Sequence, residues 1–319
     1  MIKFSCNMVR SLTVLMVLIL FGLAGCSESD EQSTNMPQAE DMAVEGEQGY
    51  DAQAAAAARD NAEQMFVDYA DNNLRKLKLI ARDGTVKREG NFEVDYKKLP
   101  NFKDITHIPD RKSAFFDYLR PAIEYQNQLI SERRQILKGI EIRINHHLEL
   151  SSAQEQYMQA MRKRYRVPEE DSSAQAVALL LRRVDTLPVS MVLAQAAVES
   201  AWGTSRFARE GNNLFGQWCF SKGCGLVPEQ RSEGSVHEVQ KFSSVDKAIG
   251  AYFLNINSHP AYVRTREVRE RIRAEGKTPT GVELVQGLEK YSVRGEHYVK
   301  ELRNMILSNG LEAEIIKST

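Results

Sequence analysis

The sequence predicts an α+β protein that is mostly helical and carries one small β-lobe. Three observations point there. Apolar residues recur at helical spacing over most of the chain beyond residue 51 and again from residue 174. Residues 212–243 interrupt that pattern with glycines, polar turns and the spaced apolar residues Val236, Val239 and Phe242. The 319 residues are 42% hydrophobic and 27% charged, an ordinary soluble composition with room for one or two domains.

The elements run in order along the chain. A helix opens over 52–58 and continues through Met65, Phe66, Tyr69, Leu74, Leu77 and Ile80, until Asp83-Gly84 breaks it. Residues 91–108 read as a loop with short extended pieces, punctuated by Pro100 and Pro109. Phe115, Phe116, Leu119, Ile123, Leu129, Ile130, Ile136, Leu137, Ile140 and Ile144 then mark a long amphipathic helix, or a pair kinked at Pro121. Another helix covers about 152–165, its basic residues Arg162, Lys163, Arg164 and Arg166 reading as solvated surface. Ala176, Val177, Leu180, Leu181 and Val184 form a short helix. Leu187-Pro188 restarts a helix through Ala197, with Pro188 in the first turn, where its missing N–H costs nothing. Beyond the β-lobe, helices are expected at 245–258, 264–275, 281–288 and 297–307, and no internal repeat is present.

The first residues carry a different signal. Lys3 and Arg10 precede an apolar run from Leu12 to Leu23. About a dozen apolar residues fit the core of a signal peptide and fall short of the ~20 that span a bilayer. The run ends at Leu23-Ala24-Gly25-Cys26, which resembles the lipobox of bacterial lipoproteins. That resemblance implies cleavage before Cys26 and lipidation of its sulfur, so residues 1–26 read as a lipoprotein signal peptide and lipobox. Ser27 stands where a retention signal would place Asp, which points to a periplasmic protein anchored by lipid to the outer membrane. Residues 27–50 hold Ser, Glu, Asp, Gln and Gly with almost no large apolar side chain, the composition of a disordered tether.

With 42 basic and 43 acidic residues the formal net charge is −1, and no broad basic field recommends nucleic acid as a partner. Of four cysteines, Cys6 goes with the signal peptide and Cys26 with the lipid. Cys219 and Cys224 remain, five residues apart around Lys222-Gly223, and in an oxidising compartment they most simply form a disulfide that stiffens a hairpin. His237 alone adds too few ligands for a metal site, and no cofactor is required.

The chemistry gathers at Glu199. It falls at the end of the helix begun by Pro188, where the negative end of the helix dipole and the apolar neighbours Val198 and Trp202 would favour a protonated carboxyl. A carboxylic acid still protonated near neutral pH can protonate a glycosidic oxygen.

The surrounding segment, Glu199-Ser200-Ala201-Trp202-Gly203-Thr204-Ser205 and then Asn212-Asn213-Leu214-Phe215-Gly216, resembles the signature of the bacterial glucosaminidase family, the mannosyl-glycoprotein endo-beta-N-acetylglucosaminidase-like enzymes of the flagellar and autolysin type. The wider signature covers about 174–309. The region from Leu99-Pro100-Asn101-Phe102 to Tyr118 and Tyr291-Ser292-Val293-Arg294-Gly295-Glu296-His297-Tyr298-Val299 resemble the Bax-type branch, and that similarity reaches back to about Phe66. The resemblance implies a lysozyme-like domain at 171–312, preceded by a helical region at 51–170. A helical lobe would carry Glu199, with a glycan cleft between it and the β-lobe. Asn213 would bind acetamido and hydroxyl groups or hold the turn after the catalytic helix. Phe215 and Trp218 would offer apolar surface to sugar faces or fill the core, and Tyr291 matches a tyrosine found late in these domains, opposite the acid. A second carboxylate is expected on the β-lobe, among Glu229, Glu233 and Glu238, with Glu229 preferred because it precedes the turn at Ser232-Glu233-Gly234. The expected activity is hydrolysis of the β-1,4 bond between N-acetylglucosamine and N-acetylmuramic acid in peptidoglycan strands. A lytic transglycosylase and a non-catalytic glycan-binding envelope lipoprotein are the competing readings.

Overall fold

The computed structural model describes residues 95–229 and 237–312. The lipobox with Cys26, the tether, the helix expected over 52–80, Glu233 and Val236 lie outside the described residues.

The chain enters through a short 3-10 turn, Phe102–Asp104, and then forms α1 (Ile108–Asn145), one continuous helix of 38 residues. Of the two forms expected for this segment, the unbroken helix is the one present. Pro121 lies inside it between the buried Leu119 and the buried pair Ala122 and Ile123. Proline there removes one backbone hydrogen bond, and the apolar stripe that continues on both sides keeps the helix on the core. Next come α2 (Ser152–Tyr165), α3 (Ser173–Arg183), α4 (Val189–Ser200) and α5 (Arg206–Gly211). Capping boxes set the starts of α2 and α3: Ser151 with Gln154, and Ser172 with Gln175. Pro188 is the N-cap of α4 rather than a residue of its first turn, and its carbonyl accepts the Val192 N–H.

The β-lobe is smaller than its sequence span. Strands β1 (Trp218–Cys219), β2 (Gly225–Leu226) and β3 (Glu238–Gln240) form an antiparallel sheet in the order β1-β3-β2, pairing Trp218 with Val239 and Leu226 with Val239. Gly225 is required there, since a Cβ would stand 2.0 Å from the Val239 carbonyl oxygen. Cys219 and Cys224 are joined by a disulfide across the turn. Helices α6 (Val245–Ser258), α7 (Val263–Ala274), α8 (Gly281–Leu284) and α9 (Glu296–Ser308) complete the chain, with 3-10 turns at Pro260–Tyr262 and Val285–Gly287.

Residues from both sides of position 170 share one hydrophobic core. Helix α1 packs on α3, α4 and α6, and α9 closes over α4 from another side. The entry segment is stitched to the rest. Asn212 accepts the Leu99 N–H and donates to the Lys97 and Phe242 carbonyls, while Val245 N–H donates to the Tyr96 carbonyl. Helix α4 is almost wholly buried, from Ser190 through Ala197 and again at Ser200. It is the pillar on which the candidate site stands.

Candidate active site

Glu199 sits at the last turn of α4. Beyond that turn the backbone is unusual: Ala201, Trp202 and Gly203 all have positive φ (50°, 59° and 73°). Left-handed geometry costs a residue with a Cβ about 1–2 kcal/mol, so this run needs local support. Ser200 supplies it, donating to the Ala196 carbonyl at 2.5 Å and accepting the Gly203 N–H at 2.8 Å. Gly203 is held against the entry segment, where a Cβ would meet the Phe102 ring at 2.7 Å. Trp202 packs on Phe115 and Phe116 of α1, with the Lys112 ammonium 4.8 Å from its ring centre. The Glu-Ser-x-Trp-Gly element is therefore a structural clamp, and it delivers the Glu199 carboxyl at the end of a rigid helix.

The groups acting on that carboxyl are largely tyrosines. Tyr298 of α9, Tyr252, Tyr262 and Tyr291 all lie close enough to feel its charge. Tyr291 and Tyr298 stack at 5.7 Å with planes 5° apart, and Tyr262 and Tyr252 stand 5.7 and 6.5 Å from Tyr291. Burial pushes the Glu199 carboxyl above the usual carboxylate range; the Tyr298 hydroxyl and the positive charge of Arg294 pull it down, and Glu301 pushes it up. Arg294 is itself occupied, 2.7 Å from Glu301 and 5.3 Å above the Tyr298 ring. The net effect is a half-buried carboxyl biased toward its protonated form. Trp202, expected from the sequence to help desolvate it, serves the contact with α1 instead.

Gly216 faces the acid. Its φ is +65°, and a Cβ there would stand 3.3 Å from Glu199 Oε2. The backbone at 216 is exposed, so the carboxyl keeps an open approach on that side.

The remaining sequence candidates separate into two groups. Tyr291 joins the acid's cluster, its hydroxyl donating to the Phe215 carbonyl at 2.6 Å. Trp218 stands on β1 with its side chain 56% exposed and stacks on His237 at 4.4 Å, so it presents a ring to solvent. Phe215, in contrast, is 1% exposed and stacks on Tyr252 at 4.2 Å; it is the core member of the aromatic pair. Asn213 is buried and spends its amide on the turn: Nδ2 donates to the Gln217 and Gln240 carbonyls, and Oδ1 accepts the Phe215 and Gln217 N–H groups. Of its two expected roles, the turn-holding one is what this geometry builds.

Among the acidic candidates of the β-lobe, Glu238 is buried and accepts the Gly223 and Gly225 N–H groups at 2.9 and 2.8 Å, fixing the disulfide-bonded hairpin. It approaches both sulfurs closely enough to suggest a metal cluster, but disulfide sulfurs are not thiolates and make poor ligands. Glu229 is exposed, 3.7 Å from the Arg206 guanidinium.

Gln195, Tyr252, Tyr262, Tyr298 and Arg294 were not among the expected site residues. Tyr298 and Arg294 fall within the segment that carries the Bax-type resemblance, and Gln195 shares a helix face with Glu199 one turn away. Tyr252 and Tyr262 have no local signal beyond apolar spacing.

A family model described as glucosaminidase, mannosyl-glycoprotein endo-beta-N-acetylglucosaminidase, matches residues 174–311. Protein bax of Escherichia coli (strain K12) is 34% identical over 212 residues, which span 66% of this chain and 74% of that protein. No solved structure matches the chain.

Proposed function

The chain belongs to the glucosaminidase family as a Bax-type member, and on that premise we propose that it hydrolyses peptidoglycan as an endo-acting glucosaminidase. The bond cut is the β-1,4 link between N-acetylglucosamine and N-acetylmuramic acid. Glu199 protonates the leaving oxygen. The observation that carries this reading is a half-buried carboxyl at the end of a rigid helix, held above the usual carboxylate range by burial and open to solvent beside Gly216. A carboxyl raised in this way holds its proton to higher pH than an ordinary glutamate, as a general acid for a glycosidic oxygen must.

In this proposal Trp218 stacks on a sugar face, since an exposed indole ring presents apolar surface with a polar edge. Tyr291 lines the wall beside the acid. Water is activated by Glu229, which stands exposed on the β-lobe, or the carbonyl oxygen of the substrate's own 2-acetamido group displaces the leaving oxygen at C1 and water then opens the ring so formed. The chain is exported as a lipoprotein anchored through Cys26 and works in the periplasm, with the glycan strands as its partner. Activity on purified peptidoglycan tests the acid directly: Glu199→Gln is expected to abolish it, and full retention would sink the reading.

One observation keeps a second reading in view. The buried β-lobe carboxylate, Glu238, is committed to backbone N–H groups, and Glu229 is exposed beside an arginine. A mechanism that needs no second carboxylate, in which the sugar's own hydroxyl attacks and gives its proton to the Glu199 carboxylate left by the first step, would give a lytic transglycosylase. Anhydromuramyl ends on the products would favour it.

A further inference from the structure

A buried hydrogen-bond chain of Tyr252, Gln195 and Tyr298 runs up to Glu199. Gln195 lies one turn before it on α4, fully buried, on the same helix face. Gln195 Nε2 donates to the Tyr298 hydroxyl oxygen at 2.9 Å, and Gln195 Oε1 accepts the Tyr252 hydroxyl. The Tyr298 hydroxyl also stands beside Glu199, close enough for each to act on the other. Chemistry fixes the direction of each link. An amide N–H can only donate, so the Tyr298 oxygen is an acceptor toward Gln195 and its own O–H must point elsewhere. Tyr252 donates to the amide oxygen, which leaves the amide N–H for Tyr298.

We infer that Gln195, oriented by Tyr252, is a positioning residue that commits the Tyr298 hydroxyl to donate to Glu199. The carboxylate left after proton transfer then meets a donor already aimed at it, with no reorganisation. This inference rests on the proposed role of Glu199 for its catalytic meaning; the chain of hydrogen bonds itself is a property of the folded protein.

The groups facing Glu199 set the size of the effect. Helix α9 contributes Tyr298 and Glu301, the segment before it Arg294 and Tyr291, α6 contributes Tyr252, and the turn after α6 contributes Tyr262. Burial raises the carboxyl, and Glu301 adds to that; Arg294 and the committed hydroxyl oppose it. A hydrogen bond to the ionised form favours that form, so loosening the hydroxyl releases the carboxyl to rise further.

The test is a carbon-13 NMR titration of the Glu199 carboxyl in the full chain, alongside the pH profile of peptidoglycan hydrolysis. Tyr298→Phe is expected to raise the Glu199 pKa by about one pH unit or more, the worth of a hydrogen bond to a charged group. Gln195→Met is expected to produce a similar rise, and the double variant no further one. Tyr252→Phe, which removes a single hydroxyl and conserves the ring, is expected to give a smaller rise in the same direction. In the three single variants the basic limb of the pH profile moves up in step, with kcat lowered and KM unchanged. Lower thermal stability with an unmoved titration would make Gln195 merely structural and overturn the inference, as would an additive rise in the double variant. Should Gln195→Met fail to fold, Tyr252→Phe decides alone, and an unchanged Glu199 pKa overturns the inference. The titration needs no activity, so it judges the hydrogen-bond chain even if Glu199→Gln shows that the acid was wrongly assigned.

Discussion

Helix α4 has a buried or half-buried carboxyl at each end, and the protein treats the two in opposite ways. Asp185, just before the helix, is 4% exposed. Burial pushes its carboxyl up, yet Arg269, Arg134 and Arg273 together hold it below the usual range. Arg273 Nε reaches Asp185 Oδ2 at 2.6 Å, with Arg269 and Arg134 at 3.6 and 3.8 Å. Arg269, 1% exposed, is further satisfied by the Asp185, Thr186 and Arg182 carbonyls and by Asn257 Oδ1. At the other end, the one cation acting on Glu199 among the described residues is Arg294, which Glu301 occupies. Burial is common to both carboxyls, so burial does not decide their charge. The supply of cations does: three at the structural end, and one neutralised cation at the chemical end.

The contrast between the two ends breaks most visibly at Glu199. Glu199→Gln is expected to lower kcat on peptidoglycan by about a hundredfold or more, the scale of a lost general acid, with circular dichroism unchanged. Wild-type activity should fall as pH rises through the Glu199 pKa, which lies above the ordinary carboxylate value.

Asp185→Asn tests the other end. Breaking a buried ion pair leaves an uncompensated charge, at a cost of about 3–5 kcal/mol, here the Arg269 guanidinium. Urea unfolding is expected to show that loss while turnover per folded molecule stays near wild type. Asp185 has a depressed folded pKa, so its contribution is present above the unfolded carboxylate pKa and fades as pH falls through the folded one. The gap between wild type and variant should therefore narrow in acid.

The signs reverse for stability at Glu199. A raised folded pKa stabilises the fold below the unfolded pKa, and that benefit is lost as pH rises through the folded value. An uncharged amide in place of the carboxyl would escape the loss. Glu199→Gln is therefore expected to unfold at a higher temperature than wild type at about pH 7, with the gain vanishing near the unfolded carboxylate pKa of about 4. A destabilised variant at neutral pH would contradict the account of a desolvated acid. The smallest effect belongs to the rim: Trp218→Ala should raise KM by about tenfold or less, the worth of one aromatic contact, and leave kcat in place.

Much of this was legible from residue order. Helices α2 and α6 fall at 152–165 and 245–258, as their apolar spacing indicates, because a capping Ser151 and the His259-Pro260 stop reinforce it. Pro121 was ambiguous because the rule for proline is local, whereas the packing of α1 on α3, α4 and α6 is not. Glu199 and Tyr291 stood out through their motifs. Gln195, Tyr252 and Tyr262 did not, since a buried polar atom looks like any core position until its partner from another helix is known. Residue order gives α7 as a helix and nothing about its arginines; only the fold reveals Arg266 and Arg269 as buried, with Arg269 against Asp185.

The most direct measurement is mass spectrometry of the fragments released from purified peptidoglycan by the wild-type protein and by Glu199→Gln. The account predicts fragments ending in reducing N-acetylglucosamine from the wild type and none from the variant. Equal release by both proteins, or anhydromuramyl ends from the wild type, would contradict it.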